Sequence, residues 1–128
     1  MVSKESVEEM LTQLGVALSE GDSGTVAKHW DVPALVLSDQ GSVAVNDRKE
    51  VEAFFAKASA DYFSRGLVST RPEIQSFEPM SESMAAVVVR WPAFDSEGME
   101  KSSEKTRYIL ALGADGKPHI RVAVTEAP

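Results

Sequence analysis

The sequence predicts an α+β domain in which helices from the first half of the chain pack on a curved antiparallel sheet formed mainly by the second half. Residues 1–66 carry mostly helical patterns, whereas residues 67–128 carry only strand patterns. Helices that are segregated from a run of strands are typical of this fold class. The length fits one domain spanning residues 1–128, and 43% hydrophobic residues are enough for a core.

The first two helices follow from capping residues and apolar spacing. Ser6 and Glu9 form a capping-box pattern at the start of the first helix. Its apolar residues recur at spacings of three and four and so share one face: Val7, Met10, Leu11, Leu14 and Leu18. Gly21 ends this helix. A short second helix then carries Trp30 and ends at Pro33.

A hairpin and a third helix come next. The branched residues of Ala34–Leu37 predict a strand, and Ser42–Val45 predicts its partner across a glycine-containing turn. Asn46 or Asp47 caps the third helix, which Gly66 ends. The apolar stripe of this helix consists of Val51, Phe54, Phe55, Ala58 and Tyr62.

Strand patterns fill the rest of the chain. They cover residues 68–77, 84–94, 100–112 and 120–124. Pro72 lies inside the first of these segments and predicts an edge position or a bulge. The continuous apolar run Ala85–Val89 predicts burial on both faces, or a core face opposite a subunit contact. Asp115-Gly116 predicts a hairpin turn before the last strand.

Composition excludes several classes of function. Thirteen Lys and Arg against twenty Asp and Glu give a formal net charge of −7, which disfavours binding to nucleic acid and to anionic membranes. The sequence has no cysteine, so thiolate catalysis and thiolate metal sites are excluded. The N-terminal sequence is unlike a signal peptide and no apolar run is long enough to span a bilayer. We therefore expect a cytoplasmic protein.

The order of these elements resembles the nuclear transport factor 2-like superfamily, which includes SnoaL-like cyclases and ketosteroid isomerase. Three segments carry the resemblance: Leu18–Asp22, Trp30–Gly41 and Asn46–Phe55. The resemblance implies a cone-shaped, cystatin-like fold with a sheet curved around the third helix and a pocket at the wide end. It also implies homodimers formed through the outer face of the sheet. Such a fold does not specify a function.

The catalytic residues that this resemblance implies are largely absent. Where ketosteroid isomerase has an oxyanion-donor tyrosine, this chain has Leu14, and Ser38 stands at the position of the general-base aspartate. Asp39 follows one residue late, where strand alternation turns it away from the pocket. Tyr108 occupies the position of the protonated aspartic acid.

Three residues remain as catalytic candidates: His29, Asp39 and Tyr108. His29 or Asp39 could act as a base, although a half-exposed structural histidine explains His29 as well. Tyr108 could donate a hydrogen bond at the base of a pocket, or it could be a core tyrosine bonded to a backbone carbonyl. We expect His119 on the surface. Two separated histidines give no metal site, and we expect no cofactor.

The same apolar residues could form either a core or a pocket wall. The candidates for the pocket are Met10, Trp30, Phe54, Trp91 and Tyr108, and Trp91 could instead anchor a dimer. Four arginines lie on predicted strands, where each could bind a ligand carboxylate or form a cross-strand ion pair on the outer face: Arg71, Arg90, Arg107 and Arg121.

Three functions fit this sequence. The first is a domain that binds an apolar small molecule in a mainly apolar pocket. The second is a SnoaL-like isomerase, cyclase or dehydratase acting on an apolar ring. The third is a protein-interaction module that binds through the outer sheet face. An open apolar cavity favours the first, a cavity that holds both His29 and Tyr108 favours the second, and a filled interior favours the third.

Overall fold

A computed structural model describes residues 1–126, which form three helices and a seven-stranded sheet. The elements in chain order are α1 (Lys4–Glu20), α2 (Ser23–Lys28), β1 (Trp30–Ser38), β2 (Gly41–Val45), α3 (Arg48–Ser64), β3 (Ser69–Thr70), β4 (Glu73–Pro79), β5 (Met84–Phe94), β6 (Glu100–Leu112) and β7 (Pro118–Glu126). The strand order is β2-β1-β7-β6-β5-β3, with β4 also paired to β5. The predicted α+β class is confirmed. The sheet is mixed rather than purely antiparallel, because β1 and β7 run parallel.

The first helix starts earlier than its capping box predicts. The Ser3 hydroxyl oxygen accepts the backbone N–H of Ser6 at 3.1 Å, and the Ser6 hydroxyl donates to the Ser3 carbonyl at 2.9 Å. Ser6 therefore lies in the first turn rather than at the cap, because Ser3 offers the same capping chemistry one turn earlier. The predicted stop at Gly21 is confirmed by its left-handed backbone, with φ 68°.

Trp30 belongs to a strand, so its predicted place on the second helix was wrong. The helix α2 ends at Lys28, and Trp30 opens β1 opposite Ile120 of β7. The Ile120 N–H donates to the carbonyl of His29 at 2.8 Å. Pro33 follows a cis peptide bond and lies where the β1–β7 register shifts, a place that suits a residue with no N–H to donate.

The hairpin and the cap of α3 match the prediction. Residues 39–40 connect β1 to β2, whose pairing runs from Ser38–Gly41 to Ala34–Val45. Asp47 caps α3 by accepting the N–H of Glu50 at 2.9 Å. The Glu50 carboxylate in turn accepts the N–H of Asn46 at 2.6 Å. Val51, at 1% exposure, is the residue of the predicted apolar stripe that is fully buried.

Pro72 divides the predicted strand 68–77 into two pieces. The short β3 and the longer β4 both pair with the same edge of β5, at residues 93–94 and 85–90 respectively. On its other edge β5 pairs with β6 along its full length. The side chains of Ala85, Val87 and Val89 are 0% exposed and face the helices, as alternation along a strand requires.

The core lies between α1, α2 and the inner face of the sheet. Its largest fully buried side chains include Val7, Leu11, Val26, Leu110 and Ile120. The main packing partner of α3 is α2, with smaller contacts to β1 and β2. A space therefore remains between α3 and the inner face of β5, β6 and β7. No helix within residues 1–126 is long and apolar enough to cross a membrane.

Candidate ligand-binding site

A cavity of about 320 Å³ lies between α3 and the inner face of the sheet. The C-terminal end of α1 and the start of β1 complete its wall. Seven of the nine aromatic residues of the chain line this space: Trp30, Phe54, Phe55, Tyr62, Phe63, Trp91 and Tyr108. Its volume lies within the range of known small-molecule pockets, and its wall is mainly apolar.

Alternate residues of β6 contribute a row of polar side chains to the wall. Ser102, Glu104, Thr106 and Tyr108 all line the cavity because successive odd and even positions of a strand face opposite sides of the sheet. Thr125 of β7 pairs with Thr106 and adds a hydroxyl to the same surface. One strand thus presents a row of hydrogen-bonding groups opposite the aromatic face of α3.

Tyr108 and Trp91 form a buried hydrogen bond in the cavity wall. The Tyr108 hydroxyl oxygen accepts the indole N–H of Trp91 at 3.0 Å, and each residue is 7% exposed. The phenol proton is not used in this bond. Burial raises the pKa of Tyr108, and hydrogen bonds with Trp91 and Thr106 partly oppose that rise. Tyr108 is therefore a neutral donor near physiological pH.

A second pair, Tyr62 and Glu104, joins α3 to β6 at the solvent side of the cavity. The Tyr62 hydroxyl donates a short hydrogen bond to the Glu104 carboxylate. Burial, followed by this bond, raises the pKa of Tyr62, so the phenol keeps its proton. The Arg65 guanidinium lies 4.9 Å from the centre of the Tyr62 ring and pairs with Asp61 at 3.3 Å.

Four of the five residues predicted for a pocket lie on this wall: Trp30, Phe54, Trp91 and Tyr108. Met10 does not, because it is 5% exposed within the core. The part of α1 that reaches the cavity begins at Ala17. Met10 lies about two helical turns before Ala17, or roughly 10 Å along the axis. It therefore packs in the core, away from the cavity.

The predicted catalytic set does not assemble. His29 caps the C-terminus of α2 and Asp39 lies exposed at the tip of the β1–β2 hairpin, so neither lines the cavity with Tyr108. Burial lowers the pKa of His29, and the nearby His119 and Lys117 lower it further. His29 therefore lies at the opposite end of β1 from the hairpin tip, and its lowered pKa favours the neutral imidazole.

The prediction that His119 is a surface residue was wrong. It lies in β7 with a side chain that is 15% exposed. Its Nε2 is 2.9 Å from the nearer Asp115 carboxylate oxygen, and its Nδ1 is 3.3 Å from Asp31. The turn at residues 115–116 brings the Asp115 carboxylate against the imidazole ring of His119. Hydrogen bonds from Lys117 and His119 lower the pKa of Asp115.

Arg90 and Arg107 form ion pairs on the outer face of the sheet, and neither lines the cavity. Arg90 pairs with Glu73 at 2.8 Å and also with Glu100, while Arg107 pairs with Glu126 at 2.8 Å. The guanidinium of Arg71 lies 4.6 Å from the ring centre of Phe94. Within residues 1–126, no arginine or lysine lines the cavity, and no group of three His, Asp or Glu side chains is arranged to hold a metal ion.

Sequence reasoning missed Tyr62 and Glu104 as site residues. Tyr62 fitted the apolar stripe of α3, and Glu104 fell in a polar stretch at the start of β6. The available signal was the alternation of Ser102, Glu104 and Thr106 in register with Tyr108. That alternation places a carboxylate on the same face as the one tyrosine already singled out.

Comparisons with known proteins agree with this architecture. Residues 4–128 match the model of a family described as NTF2-like protein (DUF6841). No curated protein matches the sequence. A domain of unknown function with a cystatin-like fold from Nostoc punctiforme superposes with a TM-score of 0.78 at 18% identity, over 98% of this chain and 76% of that one.

Two further solved structures are similar along almost their whole length. An NTF-2 like protein of unknown function from Shewanella oneidensis gives a TM-score of 0.75 at 18% identity, with coverage of 96% of this chain and 98% of that one. Aln2 from a Streptomyces species gives 0.75 at 16% identity, with coverage of 98% and 93%. At these identities the likeness is one of fold.

Proposed function

We propose that this chain, which belongs to the NTF2-like family DUF6841, binds an apolar small molecule in the cavity between α3 and the sheet. The fold of the family does not by itself assign an activity. The observation that carries this proposal is a cavity of about 320 Å³ walled by seven aromatic side chains. The open interior supports ligand binding more than it supports a protein-interaction module. For a module that binds through the outer sheet face, we expected a filled interior.

Two of the polar groups of the wall are held in place by hydrogen bonds, which suits orientation of a bound molecule. Tyr108 is held by Trp91, and Glu104 is held by Tyr62. An apolar body would displace water from the aromatic rings, and each Å² of apolar surface removed from water contributes roughly 25 cal/mol. The preformed hydrogen bonds would limit the entropy lost on binding.

A cavity-filling substitution tests the proposal. Ala58 lines the cavity from α3, whereas Ala56 on the same helix is exposed and lies outside it. We expect Ala58→Phe to abolish the thermal shift produced by apolar probes such as 1-naphthylmethanol, and Ala56→Phe to leave it unchanged. A ligand at about a hundred times its Kd adds about 2.7 kcal/mol to the free energy of unfolding.

Two results would contradict the proposal. One is a wild-type protein that folds cooperatively but is stabilised by none of a broad set of apolar and amphipathic probes. The other is equal binding by Ala58→Phe and the wild type, which would place the binding site elsewhere on the protein.

Proton transfer of the SnoaL-like kind is the second candidate, favoured by the presence of Glu104 and Tyr108 on one wall. The Glu104 carboxylate would remove a proton from the carbon next to a ring carbonyl, and the Tyr108 hydroxyl would donate to the carbonyl oxygen. Deuterium would then enter that carbon from heavy water. NMR of 1-tetralone with wild type and Glu104→Gln tests this, and equal exchange rates would refute it.

We also propose a cytoplasmic homodimer formed through the outer sheet face. Register places five apolar side chains on adjacent strands of that face: Leu35, Leu37, Ile109, Val122 and Val124. Leu35 is 38% exposed. Light scattering after gel filtration should give twice the monomer mass for the wild type and the monomer mass for Val122→Asp. A monomeric wild type would refute the pairing.

A further inference from the structure

The cavity wall carries a single kind of formal charge. Among the described residues that line it, Glu104 is the one that is charged at neutral pH, and no lysine or arginine is present. A bound carboxylate would therefore face a like charge with no lysine or arginine on the wall to offset it, and like charges repel. The wall selects against anions.

The Glu104 carboxylate retains capacity for a ligand. One oxygen accepts the Tyr62 hydroxyl, a neutral donor that leaves the negative charge in place. A carboxylate has about four acceptor positions, so several remain for further donors. The neighbouring Arg65 stacks on the Tyr62 ring and pairs with Asp61 at 3.3 Å. It therefore does not form an ion pair with Glu104.

Aromatic rings line the same cavity as this carboxylate. Phe54 and Phe55 are in an edge-to-face arrangement with ring centres 5.1 Å apart, and Trp30 lies 5.6 Å from Phe55. Tyr62, which bonds to Glu104, comes from the same helix as both phenylalanines. The faces of aromatic rings attract cations, most strongly where water is excluded. The carboxylate and the rings thus favour the same charge.

We propose that the cavity selects an apolar organic cation, such as an amine attached to a hydrocarbon ring. Its ammonium group lies at Glu104 beside the Tyr62 ring, and its apolar body fills the interior towards Trp91 and Tyr108. This inference rests on the proposed function and adds the chemical class of the ligand. The net charge of −7 also attracts cations to the protein at low ionic strength.

Three probes that share one apolar body test the preference for charge: 1-naphthylmethylamine, 1-naphthylmethanol and 1-naphthoate. In calorimetric titrations we expect the amine to bind the wild type about tenfold more tightly than the alcohol, from one exposed ion pair together with contacts to the rings. The carboxylate should bind more weakly than the alcohol. Raising the salt concentration should reduce the advantage of the amine.

Two isosteric substitutions separate the local charge from the overall charge. Glu104→Gln keeps an oxygen for the Tyr62 hydroxyl but removes the charge, so the amine should lose most of its advantage while the alcohol binds as before. Glu97, which is exposed in the β5–β6 turn outside the cavity, is the matched control. Glu97→Gln removes the same charge and should retain the full preference for the amine.

The outcomes also separate this inference from the proposed function. If the alcohol or the carboxylate binds as tightly as the amine and Ala58→Phe blocks them all, the cavity binds ligands but the preference for cations is wrong. If the preference survives Glu104→Gln, the assignment to Glu104 is wrong. If none of the probes binds the folded wild type, the proposed function itself fails.

Discussion

Replacing Tyr108 with Phe should destabilise the protein although it removes a single oxygen atom. That oxygen accepts the indole N–H of Trp91 at 3.0 Å, and both side chains are 7% exposed. The phenylalanine ring fits the same space, so no large cavity forms. The indole N–H, however, loses its acceptor at a buried position.

The size of the effect follows from that unpaired donor. A buried polar group left without a partner costs about 1–3 kcal/mol, more than the net value of an ordinary hydrogen bond. For a domain of this length, 1 kcal/mol corresponds to about 4 °C in the unfolding midpoint. We therefore expect the Tm of Tyr108→Phe to fall by about 4–12 °C.

A double-mutant cycle provides the control. In Trp91→Phe the donor is absent, so adding Tyr108→Phe to that variant should cost much less than it costs in the wild type. Urea unfolding of the four proteins measures the coupling. If Tyr108→Phe is within about 0.5 kcal/mol of the wild type, or if its cost is the same with and without Trp91, the hydrogen bond does not stabilise the fold as we infer.

Three further predictions concern the core and the pH dependence of stability. Leu110→Ala should lower the free energy of unfolding by about 2–5 kcal/mol in urea, whereas Val16→Ala at an exposed helix position should change it by less than about 0.5 kcal/mol. Because burial lowers the folded-state pKa of His29, stability should decline as pH falls through about 6.5, and His29→Gln should make the decline between about pH 7 and 5 shallower, as measured by urea midpoints. Hydrogen bonds from Thr25 lower the pKa of Asp22, so the difference in thermal midpoint between wild type and Asp22→Ala should narrow as pH falls below about 4.

Local signals were sufficient for much of the fold. Gly21 ends α1, Asp47 caps α3, and the turn at Asp115-Gly116 connects β6 to β7. Each depends on a conformation or a hydrogen bond that nearby residues determine. Such features depend on a few adjacent positions, so the sequence alone specifies them. The spacing of apolar residues then predicted the succession of helices and strands along the chain.

Errors arose where distant parts of the chain decide the structure. Trp30 fitted a helical pattern, but pairing with Ile120, ninety residues later, makes it the first residue of β1. His119 lies next to a turn and so suggested exposure, yet Asp115 and Asp31 cover its ring. The Trp30–Ile120 pairing and the approach of Asp31 to His119 join segments far apart in sequence, and such contacts override the local preference.

The cavity itself shows why a core and a binding site were indistinguishable from sequence. Val51 and Phe54 belong to one apolar stripe of α3, but Val51 is 1% exposed and Phe54 is 41% exposed. The difference arises because Val51 packs into the core, whereas Phe54 faces the cavity. Where the folded chain leaves part of an apolar stripe exposed, burying that surface under a bound molecule of matching shape is favourable. The polar row of β6 opposite that stripe includes Glu104, so the charge of a bound molecule is a testable property of the proposed site.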